Sequence, residues 1–495
     1  MRSLTSGTLA ALATMASCSL FYSAQPASFD RSESPFHGAD EVFDPSRKLI
    51  DPPRDLDQVG SSTRIQVVIQ NSRPEPVYTY VTGVNTSSGD YMILQNASNG
   101  NFNWAVKPSG NESNNANAYY FTEYDSSYEI KAQANYNTSF YIPSYAAAGR
   151  IYIAEGALRF GTNEGGPMAG FVAPSVSNAG LPEHAIVWQF VEYTWERNDF
   201  WINLSNVDLV SIPIGLTVTS QDSGRATEVP GLVSNATALI CEALTRQTIE
   251  DEYNWKQLCI WNEDQKLIRV LSPDQYLSIN VTDPLNHYWD KYVDDVWQHY
   301  QTTNLTINTQ DSRPESTNNS AFDKGNKSAV GEHVSCLVSN DTRLHCYNPD
   351  SGKSYVFLKP TTKEIFGCTQ DSNTFQVSQS DKSDWVQSEI VPRLCAAFHR
   401  STLLREGGNT QPYHNGANTA DYYYCQNNAS DVSCPGNTTN HYARVVHKYE
   451  QDGMGYAFAY DDTNPIADGL SNASANAGGV ISDTNPGSIL VAVGM

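Results

Sequence analysis

Over residues 63–235 the apolar positions fall in short β-branched and aromatic runs separated by polar turns, a pattern that predicts strands. Ile65–Ile69 and Val77–Val81 are the first two, joined by the turn Asn71-Ser72-Arg73-Pro74. Tyr91–Leu94 and Tyr128–Ile130 follow, with Asn-, Ser- and Gly-rich sequence between them, as in β-sandwich connections. Gly149 to Gly166 reads as strand, glycine-bounded turn and strand. The richest run is Ile186 to Leu216, IVWQFVEYTWERNDFWINLSNVDLVSIPIGL, broken by the polar turn Glu196-Arg197-Asn198-Asp199. A hairpin turning near Arg197–Asn198 places Glu192 opposite about Asn203.

From Ala236 the period changes. Ala236 to Arg246 has helical spacing, with Leu239, Ile240 and Leu244 on one side. Asp283-Pro284 reads as a helix start, since Asp caps and Pro suits the first turn. Trp289, Tyr292, Val293, Val296, Trp297 and Tyr300 then recur in steps of three and four. These aromatics read as core rather than as a platform for sugars. Residues 310–331 read as a polar loop. Strands resume at His333–Val338, Leu344–Tyr347 and Ser354–Leu358; a helix is expected at about Pro392–Leu403, and a last strand at Ile489–Met495. The organisation expected is a signal segment over 1–24, a disordered lead or propeptide over 25–61, a β domain from 62–235 and 311–495, and a mixed α/β insertion at 236–310.

Composition narrows the class. Only 17% of residues are charged, the net charge is −23 and hydrophobic residues make up 40%. Nucleic acid and anionic membrane surfaces are excluded as partners, because both demand a basic face; a neutral polysaccharide is compatible. Arg2, the apolar run Leu9–Ala16 and Tyr22-Ser23-Ala24 resemble a secretory signal, too short to span a membrane. A secreted, monomeric protein is expected. Outside that segment eight cysteines remain, an even number that suggests disulfides. Neighbour pairing is expected: Cys241 with Cys259, Cys336 with Cys346, Cys368 with Cys395, and Cys425 with Cys434. No C-x-x-C is present, so no zinc site and no cofactor are expected. N-x-S/T sequons are dense, but the one at Asn203 lies inside the aromatic run and is expected to be enclosed.

Within that run two carboxylates sit in apolar sequence, Glu192 and Asp208. Two carboxyl groups are what inverting glycoside hydrolysis requires. One is protonated and donates to the leaving oxygen; the other is ionised and activates water from the opposite face, about 6.5–9.5 Å away. Glu192, flanked by Val191 and Tyr193 with Trp188 and Trp195 near, suits the protonated role, because apolar surroundings raise a carboxyl pKa. A plain hairpin does not pair these acids. Asp208 would lie five residues beyond Asn203, about 17 Å along the strand and with the wrong parity. A bend or bulge between Asn203 and Asp208 is therefore required. Asp461 and Asp462 read as structural, Glu155 as a turn residue, and His184 and His399 as lone histidines. Nothing resembles G-x-S-x-G.

The segments F-V-E-Y-T-W, D-F-W-I-N-L-S-N-V-D and I-P-I-G-L resemble glycoside hydrolase family 64, the inverting β-1,3-glucanases of the thaumatin-like superfamily. V-Y-T-Y-V-T-G (77–83), G-R-I-Y-I-A-E-G (149–156), I-R-V-L-S-P (268–273) and Y-A-F-A-Y-D-D (456–462) look like further landmarks of that family. The resemblance implies a mainly β fold: a thaumatin-like β-sandwich or barrel beside an α/β domain, with an open groove between them. It implies a secreted endo-β-1,3-glucanase acting on β-1,3-glucan, with Glu192 as general acid and Asp208 as general base. Thr194 and Trp201 match glucan-contacting positions; from the residues alone they read equally as an outward strand threonine and a core tryptophan. Glu196 stands where the resemblance implies an amide. The competing reading is a non-catalytic thaumatin-like glucan-binding or cell-wall protein.

Overall fold

The computed structural model describes residues 64–96, 101–106, 119–120, 126–162, 171–197, 199–309, 333–349, 352, 354–368, 385–414, 419–425, 438–465 and 478–494. The expected signal segment, the lead at 25–61 and Cys434 lie outside these residues.

Two sheets pack face to face. The first has five strands, in the order Ala226–Val229, Ile214–Ser220, Pro486–Val493, Ile65–Asn71 and Tyr136–Ile142. Its centre is a parallel pair, Ile65–Asn71 against Pro486–Val493, with Gln66 opposite Ser488. The second sheet runs Ile481–Asp483, Asp199–Leu204, Trp188–Glu196, Ala146–Ala154, Val77–Val84, Tyr91–Asn96 and Phe102–Val106, with Ile130–Ala132 also paired to Val77–Val84. Successive strand residues face opposite sides. Val191, Tyr193, Trp195, Phe200 and Ile202 fill the space between the sheets, with Val67, Ile69, Leu216 and Val491 from the other sheet. Tyr80, Tyr152, Trp188 and Phe190 point the other way and join a second core shared with the helices. The larger sheet therefore packs apolar side chains on both faces.

The second core belongs to a mixed α/β unit. It contains α1 (Ala236–Asp251), α2 (Pro273–Ile279) and α3 (Asp290–His299), and a three-stranded sheet of Leu209–Val210, Leu267–Leu271 and Cys259–Trp261. α3 buries Tyr292, Val293, Val296 and Trp297, the stripe its spacing predicts. β-sandwich sequence was expected to resume at residue 311, but the elements group differently. A five-stranded sheet of Leu305–Asn308, His333–Val338, Leu344–Tyr347, Ser354–Phe357 and Thr410–Gln411, with α4 (Thr362–Gly367), α5 (Trp385–His399) and α6 (His441–Tyr449), packs into this same core. The chain rejoins the sandwich at Ile481. These strands pair with one another and not with the sandwich sheets, a long-range fact that local patterns do not carry.

Two smaller expectations also shift. Tyr128 closes a short 3-10 turn, and the strand there is Ile130–Ala132. The helix expected from Pro392 begins at Trp385, with Pro392 inside it. Disulfides join Cys241 to Cys259, Cys336 to Cys346 and Cys368 to Cys395, as neighbour pairing anticipates. Cys425 is also disulfide-bonded. Among the described residues no helix is long and apolar enough to cross a membrane.

Candidate active site

On the outer face of the larger sheet, one row of side chains crosses five strands. Ile93 pairs with Thr82, Thr82 with Arg150, Arg150 with Glu192, and Glu192 with Asn203. The hairpin register expected from sequence, Glu192 opposite Asn203, is the one observed. Asn203 is 5% exposed, so its sequon is enclosed in the folded protein.

The strand carrying Arg150 is placed by its neighbour. A Cβ at Gly149 would lie 2.3 Å from Cζ of Tyr193, so only glycine lets this ring pass. The Tyr193 hydroxyl is anchored on the Thr82 carbonyl at 3.2 Å. Arg150 then presents its guanidinium to Glu192, donating from Nε at 3.1 Å and from Nη2 at 2.9 Å, both to Oε1. The guanidinium rests on the Phe190 ring, 4.4 Å from its centroid. What the Glu192 carboxyl meets is thus an arginine, not apolar surface. Val191, Tyr193 and Trp195, its neighbours in sequence, point into the opposite core. Of the apolar neighbours expected to shield Glu192, these three fail on strand parity, while Trp188 lies on its own face.

Asp208 reaches this row because the strand stops. Asp199–Leu204 ends, and the next residues are held from several sides. Ser205 bridges to Tyr456, and Gln189 Nε2 donates to the Ser205 carbonyl at 2.8 Å. Asn206 Nδ2 donates to Glu450 Oε1 at 2.9 Å, and the Tyr442 hydroxyl donates to the Asn206 carbonyl at 2.7 Å. The chain bends there, within the interval where sequence required it, and restarts as Leu209–Val210 in a different sheet. Asp208 is partly exposed, and its Oδ1 accepts from Gln275 Nε2 at 2.9 Å. Burial pushes its carboxyl up and the Glu192 charge adds to this, while Arg150 and the Gln275 hydrogen bond oppose it. Asp274 stands close by and is pushed up to about 6, first by burial and then by the Asp208 charge, with Lys363 opposing. Glu192, Arg150 and Asp208 thus form one electrostatic group.

Thr194 and Trp201 pair with each other one step along from Glu192 and Asn203, on the same face. Each is 8% exposed. The Thr194 hydroxyl oxygen accepts from the Ala148 backbone at 3.3 Å, and Trp201 Nε1 donates to Asp199 Oδ1 at 2.5 Å.

The other candidates lie elsewhere. Asp461 is fully buried, paired with Arg400 at 3.0 Å and with His447 at 2.7 Å, which holds its carboxyl below the usual range against the opposing effect of burial. Asp462 accepts from the Tyr456 hydroxyl at 2.9 Å. Both have structural partners. Glu155 pairs with Arg73 and with Lys266. His184 is set beside Arg269, which bonds its carbonyl. Cys368, Cys395 and His399 bring three possible metal ligands within 4.8 Å of one another. Their sulfurs are joined, however, and both His399 nitrogens are engaged, Nε2 with the Ile365 carbonyl at 2.7 Å and Nδ1 with Asn440 at 2.6 Å.

Sequence reasoning missed Arg150 and Gln275. Arg150 had a signal: it is the one cation among the outward-facing positions of the strand Ala146–Ala154. Gln275 had none, because its approach depends on Leu209 pairing with Leu271.

Residues 63–493 match the family model Glyco_hydro_64, β-1,3-glucanase. A glucan endo-1,3-β-glucosidase of Arthrobacter sp. (strain YCWD3) is 25% identical over 291 residues, 59% of this chain and 44% of its own length. That of Cellulosimicrobium cellulans is 26% identical over 292 residues, with the same two shares, 59% and 44%. The chain thus spans under half the length of these curated relatives. Two solved structures share the fold. A laminaripentaose-producing β-1,3-glucanase in complex with laminaritetraose has a TM-score of 0.65 at 22% identity, covering 88% of this chain and 99% of that one. A β-1,3-glucanase domain (GH64) from Clostridium beijerinckii has a TM-score of 0.59 at 18% identity, covering 87% and 98%. With the family model matched from residue 63 to residue 493, the chain belongs to glycoside hydrolase family 64, the β-1,3-glucanases.

Proposed function

We propose that the protein is a secreted, monomeric, cofactor-independent endo-β-1,3-glucanase that hydrolyses β-1,3-glucan with inversion and releases short oligosaccharides. The observation carrying this reading is the juxtaposition of Glu192 and Asp208. Two acids sixteen positions apart (208 less 192) are brought into one electrostatic group by a strand break that a plain hairpin lacks.

Glu192 acts as general acid and Asp208 as general base. Both Arg150 bonds fall on Oε1, so the proton to be donated is assigned to Oε2 of Glu192. As the glycosidic bond breaks, that proton moves to the leaving oxygen, and Arg150 stabilises the carboxylate left behind. On the opposite face of the sugar, Asp208 takes a proton from water while the water oxygen bonds to the anomeric carbon. Burial makes Asp208 a stronger base wherever the pH keeps it ionised. Thr194, whose hydroxyl oxygen is occupied by Ala148, has its proton to offer to a sugar hydroxyl, and Trp201 is its cross-strand partner.

The test is incubation with a linear β-1,3-glucan, with product anomers followed by NMR, for the wild type, Glu192→Gln and Asp208→Asn. The wild type is expected to release α-anomeric oligosaccharides, and turnover in both variants is expected to fall by roughly a thousandfold or more. Binding without release of sugar would instead establish the non-catalytic reading. Full activity in both variants would remove these residues from the mechanism, and an initial β-anomer would exclude inversion.

A further inference from the structure

The first turn of α2 makes two contacts with one residue. The Ser272 backbone N–H donates to the Asp208 carbonyl at 2.9 Å, and Gln275 Nε2 donates to Asp208 Oδ1 at 2.9 Å. The turn is itself fixed. Ser272 caps α2, its hydroxyl accepting from the Gln275 N–H, and Pro273 sets the first helical position. Leu271 pairs with Leu209, so the end of one strand and the start of the other hold Ser272 against Asp208. Among the described residues no donor reaches Asp208 Oδ2. Asp208 is faced by Arg150 and Glu192 from the larger sheet, by Asp274 from α2 and by Tyr442 from α6; Lys363 of α4 faces Asp274.

We infer that Gln275 is a positioning residue for Asp208, fixing one carboxylate oxygen so that the other faces the attacking water. The inference rests on Asp208 being the base of the proposed reaction. A glutamine suits the task because its amide orients a carboxylate without adding a charge that would weaken the base. The mixed α/β unit thereby supplies part of the water-activating apparatus, while the acid stands wholly on the sandwich.

Losing the Gln275 donor removes stabilisation of ionised Asp208, so the acidic limb of kcat/KM moves to higher pH. The experiment compares the full chain with Gln275→Met, which keeps length and bulk, Gln275→Glu, which puts an acceptor where the donor was, and Asp208→Asn. It records kcat, KM and pH profiles on a linear β-1,3-glucan, with near-UV circular dichroism to verify folding. Gln275→Met is expected to lower turnover on the order of tenfold to a hundredfold with KM changed by less than about twofold. Its acidic limb should rise by roughly half a pH unit or more, and further in Gln275→Glu. If Gln275→Met fails to fold, Gln275→Glu carries the same test. A loss of turnover with an unmoved limb would assign Gln275 to packing and overturn the inference, as would wild-type turnover and profile in both Gln275 variants. Full activity in Asp208→Asn would overturn the base assignment instead. Movement of the alkaline limb in place of the acidic one would make Asp208 the acid and overturn the inference.

Discussion

Arg269 offers the sharpest test of how the two halves are joined. It is fully buried on the strand Leu267–Leu271, which leads into α2, and among the described residues it has no carboxylate partner. Instead Nη1 donates to the Val176 carbonyl at 3.1 Å, and Nη2 to the carbonyls of Glu183 at 3.2 Å, His184 at 3.1 Å and Ile186 at 2.5 Å. These carbonyls lead directly into the strand that carries Glu192. In Arg269→Met the side-chain stem is replaced and the donors are lost. The Glu183 carbonyl keeps donors in Ile186 N–H and Trp188 Nε1, but those of Val176, His184 and Ile186 lose theirs. One buried carbonyl and two part-buried ones, left unpaired, cost about 1–2 kcal/mol each. Against this stands relief of a desolvated charge, for burial lowers this guanidinium to about 10. The net loss is about 3 kcal/mol. At roughly 2.1 cal/mol/K per residue over the 431 residues from 63 to 493, the unfolding entropy is about 0.9 kcal/mol/K, so the midpoint should fall by about 3 °C. Calorimetry at neutral pH measures it. A midpoint at or above the wild type would show that desolvation outweighs the carbonyl bonds and refute the reasoning.

Two further perturbations follow from single contacts. Gly149→Ala should cost about 2–3 kcal/mol and lower turnover, because the new methyl meets a Tyr193 ring whose hydroxyl is anchored and whose neighbour Arg150 holds Glu192; a wild-type midpoint in calorimetry would contradict the packing argument. Burial, with the Asp452 charge adding to it, holds the Glu450 carboxyl well above 4.5, and its Oε2 is unpaired. The folded protein therefore binds a proton there that the unfolded chain releases above about 4.5, and this stabilising protonation is lost progressively as pH rises. Glu450→Gln keeps an acceptor for Asn206 and should be more stable than the wild type at pH 7, with the difference vanishing below pH 4.5; urea unfolding across pH checks it, and a gain independent of pH would exclude the carboxyl as its cause.

What was legible in the sequence was local or periodic. The 196–199 turn fixed which residue opposes Glu192, and parity showed that the chain must break before Asp208. The recurrence in steps of three and four from Trp289 to Tyr300 marked α3 and its buried side. Sequence adjacency misled at Glu192, because strand neighbours point away from each other. The partners that tune the acids, Arg150 and Gln275, come from strands and turns joined only by tertiary pairing. The regrouping of residues 305–465 into the mixed unit was hidden for the same reason: a strand's own pattern does not say which sheet it joins.

The parallel pair at the heart of the five-stranded sheet has a consequence in time. Gln66 cannot meet Ser488 until nearly all of the intervening chain has been made, and Pro486–Val493 lies between Ile65–Asn71 and Ile214–Ser220, separating the sheet into two pieces without it. During synthesis the early strands have exposed edges and an uncovered apolar face. Closing so distant a contact is slow, and the waiting intermediate is prone to aggregation. Yield is then expected to follow the rate of this closure as well as the strength of the finished core.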